Sequence, residues 1–282
     1  MSTDTTLTTA SDELFHLSLN ASSNAPTIVL LHGLCSSHLE FAHVVPQLEQ
    51  TYHVLAVDLP GHSRSLPLPS DRPFTLSSAS SRIASLIRKH AHNGQAHVVG
   101  LSLGGFIALK LLEEHPDLIK SLWVTGATPF TGLYKWAAKR PTIVYYINRT
   151  LSGLPSWLST SMSSWQGLRR HDELRQEMIS NGTFQLIRDA YCSILEFSND
   201  DLSKIGATGK RVLAVAGGRH DDVEGTRQMG RLLTQNGSPQ SKAVVVKRAV
   251  HGWDLQFPEL FAQGIKAWIE EDELPHDYES LH

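Results

Sequence analysis

One pentapeptide in the chain has the residue types and spacing of a covalent nucleophile: Gly100-Leu101-Ser102-Leu103-Gly104. It is the only G-x-S-x-G sequence present, and it falls where an apolar run typical of a strand passes into a helical pattern. The two glycines leave room for a tight turn, and the N-terminus of the following helix favours negative charge beside the hydroxyl. The pattern predicts that Ser102 is a nucleophile; the alternative is that Ser102 only caps the helix.

A serine hydroxyl is a weak nucleophile near neutral pH, so this prediction requires a base and a carboxylate that orients the base. His251 follows the last predicted strand by a few residues and precedes a helical pattern, although it could instead be an ordinary surface-loop histidine. Asp221 and Asp222 follow the preceding predicted strand. Only one of these carboxylates can orient the imidazole, and we expect the other to be a solvated loop charge or a helix cap.

Short apolar runs, most of them β-branched, predict the strands that must position these residues. The runs are continuous rather than alternating, which is typical of parallel strands covered on both faces. Helical patterns lie between them, including one that stops at Asn93-Gly94 and one over residues 102–114. We therefore predict an α/β fold, with a mostly parallel central sheet and helices on both faces. The predicted strands are 27–31, 54–57, 96–99, 121–124, 212–216 and 243–246.

The alternation of strands and helices is interrupted once. From residue 128 to residue 204 no convincing strand pattern occurs, and the segment is rich in tryptophan and tyrosine. We interpret it as a helical lid, or cap, inserted into a continuous core made of residues 1–127 and 205–282. Its aromatic content favours a mostly apolar substrate.

Composition argues against several function classes. The 282 residues include 25 Lys and Arg against 28 Asp and Glu, so no strong positive field would attract nucleic acid or anionic lipid. No run approaches the roughly 20 apolar residues of a membrane helix. The N-terminal stretch carries acid where a signal peptide needs basic residues, and the two cysteines fit a reducing compartment. We expect a cytoplasmic protein with a small-molecule substrate and no nucleic-acid or membrane partner; its oligomeric state is not predicted.

The chain has 15 histidines, which is many for its length. His90, His92 and His97 lie close together in sequence, as metal ligands can. However, His90 and His92 face different directions on a helix, and no carboxylate accompanies the three in sequence. We therefore expect no metal site.

Four pieces of sequence, in a fixed order, resemble the α/β-hydrolase superfamily and specifically its lidded, serine esterase-like branch. They are Leu31-His32-Gly33 after an early strand, the run Asp58 to Ser65 after the next strand, the serine pentapeptide, and the acid followed by the histidine. The resemblance covers roughly residues 18–270. Ser63 departs from the pattern, because the family often has a second glycine at this point of a turn.

The resemblance implies a catalytic triad. Ser102 would attack a carbonyl carbon, His251 would take the serine proton, and a carboxylate would stabilise the resulting imidazolium. The family's spacing from Gly218 puts this acid at Asp221, and Asp222 is the alternative.

The resemblance also implies an oxyanion hole formed by the backbone N–H groups of Leu34 and Leu103. His32 would brace the first of these loops by hydrogen bonding rather than transfer protons. Trp253 follows the catalytic histidine closely, so we expect it to bind substrate as part of the pocket wall.

Together these features imply a serine hydrolase that cleaves an ester or thioester of a mostly apolar small molecule through an acyl-enzyme on Ser102, without metal or other cofactor. Two alternatives stay open. One is a triad-dependent C–C bond hydrolase or lyase of the same fold, and the other is a ligand receptor or scaffold with little turnover.

Overall fold

The central strands are apolar along their whole length because helices cover both faces of the sheet. The computed structural model describes residues 13–22, 24–66, 73–169, 171–235 and 237–281. Every residue of β2 (Thr27–Leu31), β3 (His53–Val57), β4 (Ala96–Leu101) and β6 (Val212–Gly217) is buried. The six predicted strands are all present, with ends that differ from the prediction by no more than two residues.

Eight strands form one sheet in the order β1-β3-β2-β4-β5-β6-β7-β8. The six central strands are mutually parallel, and the two edge strands pair antiparallel with their neighbours. This confirms the predicted mostly parallel α/β sheet. The strands not introduced above are β1 (His16–Leu19), β5 (Ile119–Thr125), β7 (Lys242–Val246) and β8 (Glu279–Ser280).

Alternate residues of the strands from β2 to β6 contribute to two hydrophobic cores, one on each face of the sheet. On one face, Val29 and Leu31 of β2 belong to the core that includes α2 (Leu76–His90), α3 (Leu103–Glu114) and α10 (Val223–Gln235). On the other face, Ile28 and Leu30 belong to the core with α1 (Val45–Leu48), α11 (Trp253–Gln256) and α12 (Pro258–Glu270).

Between β5 and β6 the described residues form helices joined by loops and turns, and no strand. We call this stretch the inserted segment; its role as a lid over the site stays a prediction, as does the division into core and lid at residues 128 and 204. Its helices are α4 (Gly132–Ala138), α5 (Pro141–Ser152), α6 (Ser156–Trp165), α7 (Asp172–Asn181), α8 (Phe184–Glu196) and α9 (Asn199–Ala207).

The register of the parallel strands brings their carboxyl ends to one edge of the sheet. Leu31 pairs with Gly100, Leu101 pairs with Thr125, and Gly217 pairs with Val246. The loops that follow these strands therefore meet at one place, which is where open parallel sheets bind ligands.

No helix in the described part of the chain is both long enough and apolar enough to cross a membrane. The N-terminal stretch on which the targeting expectation rests lies outside the described residues, apart from Glu13. The cytoplasmic location and the absence of nucleic-acid and membrane partners stay predictions.

Candidate active site

Ser102 is the single residue of a sharp turn between β4 and α3. Its backbone has φ 53° and ψ −116°, a conformation that costs free energy for any residue with a side chain. The Ser102 N–H donates to the carbonyl of Thr125 at 2.9 Å, and the Ser102 carbonyl accepts from the Phe106 N–H. A Cβ atom on Gly104 would lie only 2.1 Å from the Leu31 carbonyl oxygen, so only glycine lets α3 approach β2 this closely. The strained turn is therefore held in place from both sides.

His251 and Asp221 come from two different loops and meet beside Ser102. His251 lies between β7 and α11, and its Nδ1 is 2.5 Å from Asp221 Oδ1. The second oxygen of Asp221 accepts the N–H of Gly217, the last residue of β6, at 2.7 Å. This pair of contacts fixes the imidazole with Nδ1 toward the carboxylate, so that Nε2 is available to act as a base.

Two opposing effects set the protonation of His251. Burial lowers the pKa of the imidazole, but the hydrogen bond and charge of Asp221, together with the charge of Glu40, raise it further than burial lowers it. The net pKa is above the ordinary value of 6.5. Although protein atoms surround the ring, 46% of the side chain is reachable by solvent through adjoining cavities.

Asp222, the alternative acid, has different partners. Its Oδ1 accepts the N–H of Gly225 at 2.8 Å in the first turn of α10, and its Oδ2 accepts from the Thr131 hydroxyl at 3.2 Å. Asp222 therefore caps a helix. Of the two carboxylates that the sequence offered, the structure brings Asp221 to the imidazole.

Gly126 is a site residue that sequence reasoning missed. It follows β5, has φ +62°, and packs directly against the catalytic candidate: a Cβ atom there would lie 2.5 Å from Cε1 of His251 and 2.8 Å from its Nδ1. Any side chain at this position would displace the imidazole. A lone glycine after a predicted strand gave no signal of this role, because the contact is made across the sheet edge.

The loop after β2 is braced by a neutral histidine, as expected. His32 donates from Nδ1 to the Gly33 carbonyl at 2.8 Å and accepts from the Leu59 N–H at Nε2. Burial, then the nearby His62, lower the pKa of His32 to about 3, so the ring stays uncharged. The Gly104 N–H of the serine turn donates to the His32 carbonyl at 3.0 Å, which ties the two loops together.

The run after β3 shapes a turn rather than supplying a reacting group. Asp58 is fully buried and accepts from both the backbone N–H and Nδ1 of His38. Ser63, where the family often has glycine, has φ +43°, which explains that preference. The Ser63 N–H donates to Asn181 of α7 at 2.8 Å, so this turn also anchors the inserted segment.

Glu40 is a second residue that the sequence did not reveal. It is buried, lines the cavity beside Ser102, and accepts the Gly33 N–H at 2.7 Å. Asp254, three residues after His251, is also fully buried. Burial raises the pKa of Glu40, and burial followed by the charge of Glu40 raises the pKa of Asp254 well above its ordinary value. Two carboxyl groups of raised pKa thus lie beneath the loops that carry the candidate site.

The two residues expected to supply the oxyanion hole lie in these loops. Leu34 lines the cavity that contains Ser102, and Leu103 is the first residue of α3, with a buried side chain. The Leu103 side chain is part of the core and the Leu34 side chain is partly buried against it; the oxyanion-hole role of the two backbone amides stays a prediction.

Two cavities meet at Ser102 and His251. The larger cavity is about 440 Å³ and extends toward α7. The smaller cavity is about 310 Å³ and extends along the acid loop, with aromatic walls. The larger cavity is lined partly by Leu34, Leu168, Leu174, Met178 and Leu255, and the smaller partly by Phe130, Tyr134 and Tyr191.

The expectation that Trp253 lines the pocket is wrong. Its side chain is fully buried in the core between the sheet and α12, and it contacts Trp123 and Phe261. Its indole N–H donates to the Thr125 hydroxyl at 3.0 Å. Trp253 is the first residue of α11, and this helix directs the indole away from the cavities and into the core that α12 covers. The buried indole anchors the loop that carries His251.

Comparisons with known proteins agree with this architecture. A family described as alpha/beta hydrolase fold matches residues 26–175. An AB hydrolase superfamily protein of Gibberella zeae is 31% identical over 261 residues, which cover 90% of this chain and 84% of the relative. A pimeloyl-[acyl-carrier protein] methyl ester esterase of Aeromonas hydrophila is 26% identical over 263 residues, which cover 90% of this chain and 99% of the relative. A thermophilic esterase structure from Thermogutta terrifontis shares the fold with a TM-score of 0.68 and 21% identity, over 92% of this chain and 93% of its own. The chain belongs to the α/β hydrolase family.

Proposed function

We propose that this protein is a serine hydrolase that cleaves an ester or thioester of a mostly apolar small molecule. The observation that carries the proposal is the meeting of Ser102 and His251 at the junction of two cavities, with Asp221 paired to the far side of the imidazole. Esters are favoured by the esterase names of the relative from Aeromonas hydrophila and of the structural neighbour.

The first step forms the acyl-enzyme. Ser102 Oγ attacks the carbonyl carbon while His251 Nε2 takes the hydroxyl proton. The carbonyl oxygen becomes an oxyanion and accepts from the N–H groups of Leu34 and Leu103. Collapse of this intermediate breaks the bond to the leaving group, which departs with the proton from Nε2.

The second step releases the acid. A water molecule gives its proton to His251 Nε2 and attacks the acyl carbon, forming a second oxyanion at the same amides. Collapse breaks the bond to Ser102 Oγ, which regains the proton from the imidazolium. Each oxyanion donor typically contributes about 2.7–4 kcal/mol to the stability of such a transition state.

Asp221 contributes by holding the imidazole in the productive tautomer and by stabilising its charged form. Its carboxylate is 4% exposed and its second oxygen is bound to the Gly217 amide, so it cannot rotate away. Glu40 contributes indirectly, because its bond to Gly33 sets the course of the chain immediately before Leu34.

The two cavities suggest that acyl and leaving groups occupy separate spaces on either side of Ser102. Apolar side chains line much of both, leucine and methionine in one and aromatic rings in the other, and Arg169, Asp172 and Arg175 also line the larger cavity. A substrate with apolar groups on both sides of the carbonyl would bury both of them.

A panel of p-nitrophenyl esters of graded chain length tests the proposal, with Ser102→Ala as the matched control. We expect many turnovers per protein molecule, a clear optimum in chain length, and no turnover in the variant. A release of product limited to one equivalent of protein would instead favour a ligand receptor. Equal turnover by Ser102→Ala would overturn the assignment of the nucleophile.

A further inference from the structure

We propose that Glu13, His16 and His90 form a binding site for a divalent transition-metal ion such as Zn²⁺, at the β1 edge of the sheet. One ligand atom from each residue lies within 4.8 Å of the other two. The two imidazole rings are adjacent, with centroids 4.5 Å apart. Two imidazoles and one carboxylate form a ligand set that zinc proteins use, with bonds of about 2.0–2.2 Å.

The fold brings beside His90 a carboxylate that lies far from it in sequence. His90 is the last residue of α2, His16 is the first residue of β1, and Glu13 lies just before that strand. β1 pairs antiparallel with β3, with His16 opposite Val57, and this pairing brings the N-terminal strand beside the end of α2. The expectation of no metal site rested on residues near His90 in sequence, and Glu13 is 77 residues away.

The hydrogen bonds leave the required nitrogen atoms directed at the site. His16 Nδ1 donates to the Leu14 carbonyl at 3.0 Å, which leaves a lone pair on Nε2 for a metal. His90 Nε2 already contacts Glu13 Oε1. A metal ion would replace the proton between these two atoms and move them apart to the roughly 3.4 Å that two bonds of about 2.1 Å require at tetrahedral angles.

Two neighbouring histidines have both ring nitrogens engaged in hydrogen bonds within the protein. His53 contacts Ser18 and Thr27 through its two ring nitrogens. His92 contacts the carbonyls of Ala21 and Ala25 in the same way. Within the described part of the chain, the site is therefore limited to the three residues named above, and Glu13 and His90 are both partly exposed.

Lys89 provides a second, independent test of the metal site. Its ammonium group contacts Glu13 Oε2 at 2.6 Å, and 62% of its side chain is exposed. A bound dication would repel this charge and would compete with it for the Glu13 carboxylate. Removing the lysine charge should therefore strengthen binding, whereas nonspecific adsorption of metal would be little changed.

Calorimetric titration of the chelator-treated 282-residue protein with Zn²⁺ tests the proposal. We expect one site that His16→Gln and His90→Gln each weaken by more than about tenfold, which is the scale of loss when a metal shell is disturbed. Lys89→Ala should bind more tightly. His276→Gln, which changes an exposed histidine elsewhere, should bind like the parent protein.

Cobalt substitution gives a readout that does not depend on activity or on thermal stability. Visible absorption of bound Co²⁺ should appear in the parent protein and in His251→Ala, and should be lost in His90→Gln. Circular dichroism checks that each variant is folded, and Glu13→Gln serves as a milder second variant. Absence of binding at micromolar Zn²⁺, or a site that persists in His16→Gln and His90→Gln, would overturn the proposal.

Discussion

Gly126 and His251 are in direct contact, and the contact leaves no room for a Cβ atom. The closest approach of such an atom would be 2.5 Å to the imidazole carbon Cε1. Asp221 binds the neighbouring Nδ1 of the ring, and its Oδ1 would lie 3.4 Å from the same Cβ atom. The position of the imidazole is therefore set by the absence of a side chain on one residue and by the presence of a carboxylate on another.

We expect Gly126→Ala to lower kcat by about 100-fold, because a displacement of the base by about 1 Å has an effect of this size. Gly132→Ala is the matched control: Gly132 also has positive φ, but a Cβ atom there meets nothing within 4 Å. Both substitutions carry a similar backbone strain, so comparing kcat in the two separates the steric effect from the strain. Equal losses would show that the contact with His251 is unimportant.

The two neighbouring aspartates should differ sharply in their effect on the rate. Asp221→Asn keeps the shape of the side chain but favours the wrong imidazole tautomer, and we expect kcat to fall by about 10⁴-fold. Asp222→Asn should leave kcat within a small factor of the parent value, since asparagine also caps helices well. Steady-state kinetics on a p-nitrophenyl ester distinguishes the two. A larger loss in Asp222→Asn would reverse the assignment of the acid.

The pH profile should report the raised pKa of His251. The reaction needs neutral imidazole, so kcat/KM should fall as the pH is lowered through the pKa of His251 in the free protein. Because the pKa is raised by Asp221 and Glu40, we expect the midpoint to lie above 6.5. A profile that stays flat between pH 6 and pH 8 would contradict the role of His251 as the base.

Glu40→Gln should shift this midpoint downward, because the charge of Glu40 contributes to the raised pKa of His251. Glutamine retains an oxygen that can accept the Gly33 N–H, so the loop should keep its course. Glu40→Ala removes the acceptor as well, and a buried unpaired N–H costs about 1–3 kcal/mol. The test is the pH profile of each variant, with Glu273→Gln, an exposed glutamate, as the control. An unchanged midpoint in Glu40→Gln would contradict the electrostatic link.

Trp253 should affect stability rather than substrate preference. Trp253→Phe removes the bond to the Thr125 hydroxyl and leaves space in the core, and we expect it to lower the free energy of unfolding by about 1–3 kcal/mol. Denaturant unfolding measures this change. The preferred ester chain length should stay the same, because the side chain lies outside both cavities. A changed chain-length preference with unchanged stability would restore the original expectation of a pocket wall.

The sequence was most informative where the chain obeys a local rule. The central strands are continuous apolar runs, and Ser102, Asp221 and His251 each follow one of them within a few residues. The edge strands β1 and β8 were not predicted, since they are only four and two residues long and are partly or fully exposed. A short edge strand buries too little apolar surface to leave a pattern.

The remaining site residues depend on contacts between distant parts of the chain. Glu40 and Gly33 are joined by a hydrogen bond that no spacing rule predicts, and Gly126 matters only because His251 folds against it. Trp253 is close to His251 in sequence, but this proximity does not place its side chain at the cavity. The direction of an indole at the start of a short helix is set by packing, which sequence pattern does not record.

The central claim is that Ser102 is a nucleophile activated by its surroundings, and covalent labelling tests it most directly. Incubation with a fluorophosphonate probe, followed by intact mass measurement and peptide mapping, should give one adduct per chain at Ser102. Ser102→Ala should give none, and Asp221→Asn should label much more slowly than Asp222→Asn. Absence of an adduct in the parent protein, or equal labelling of Ser102→Ala, would contradict the account.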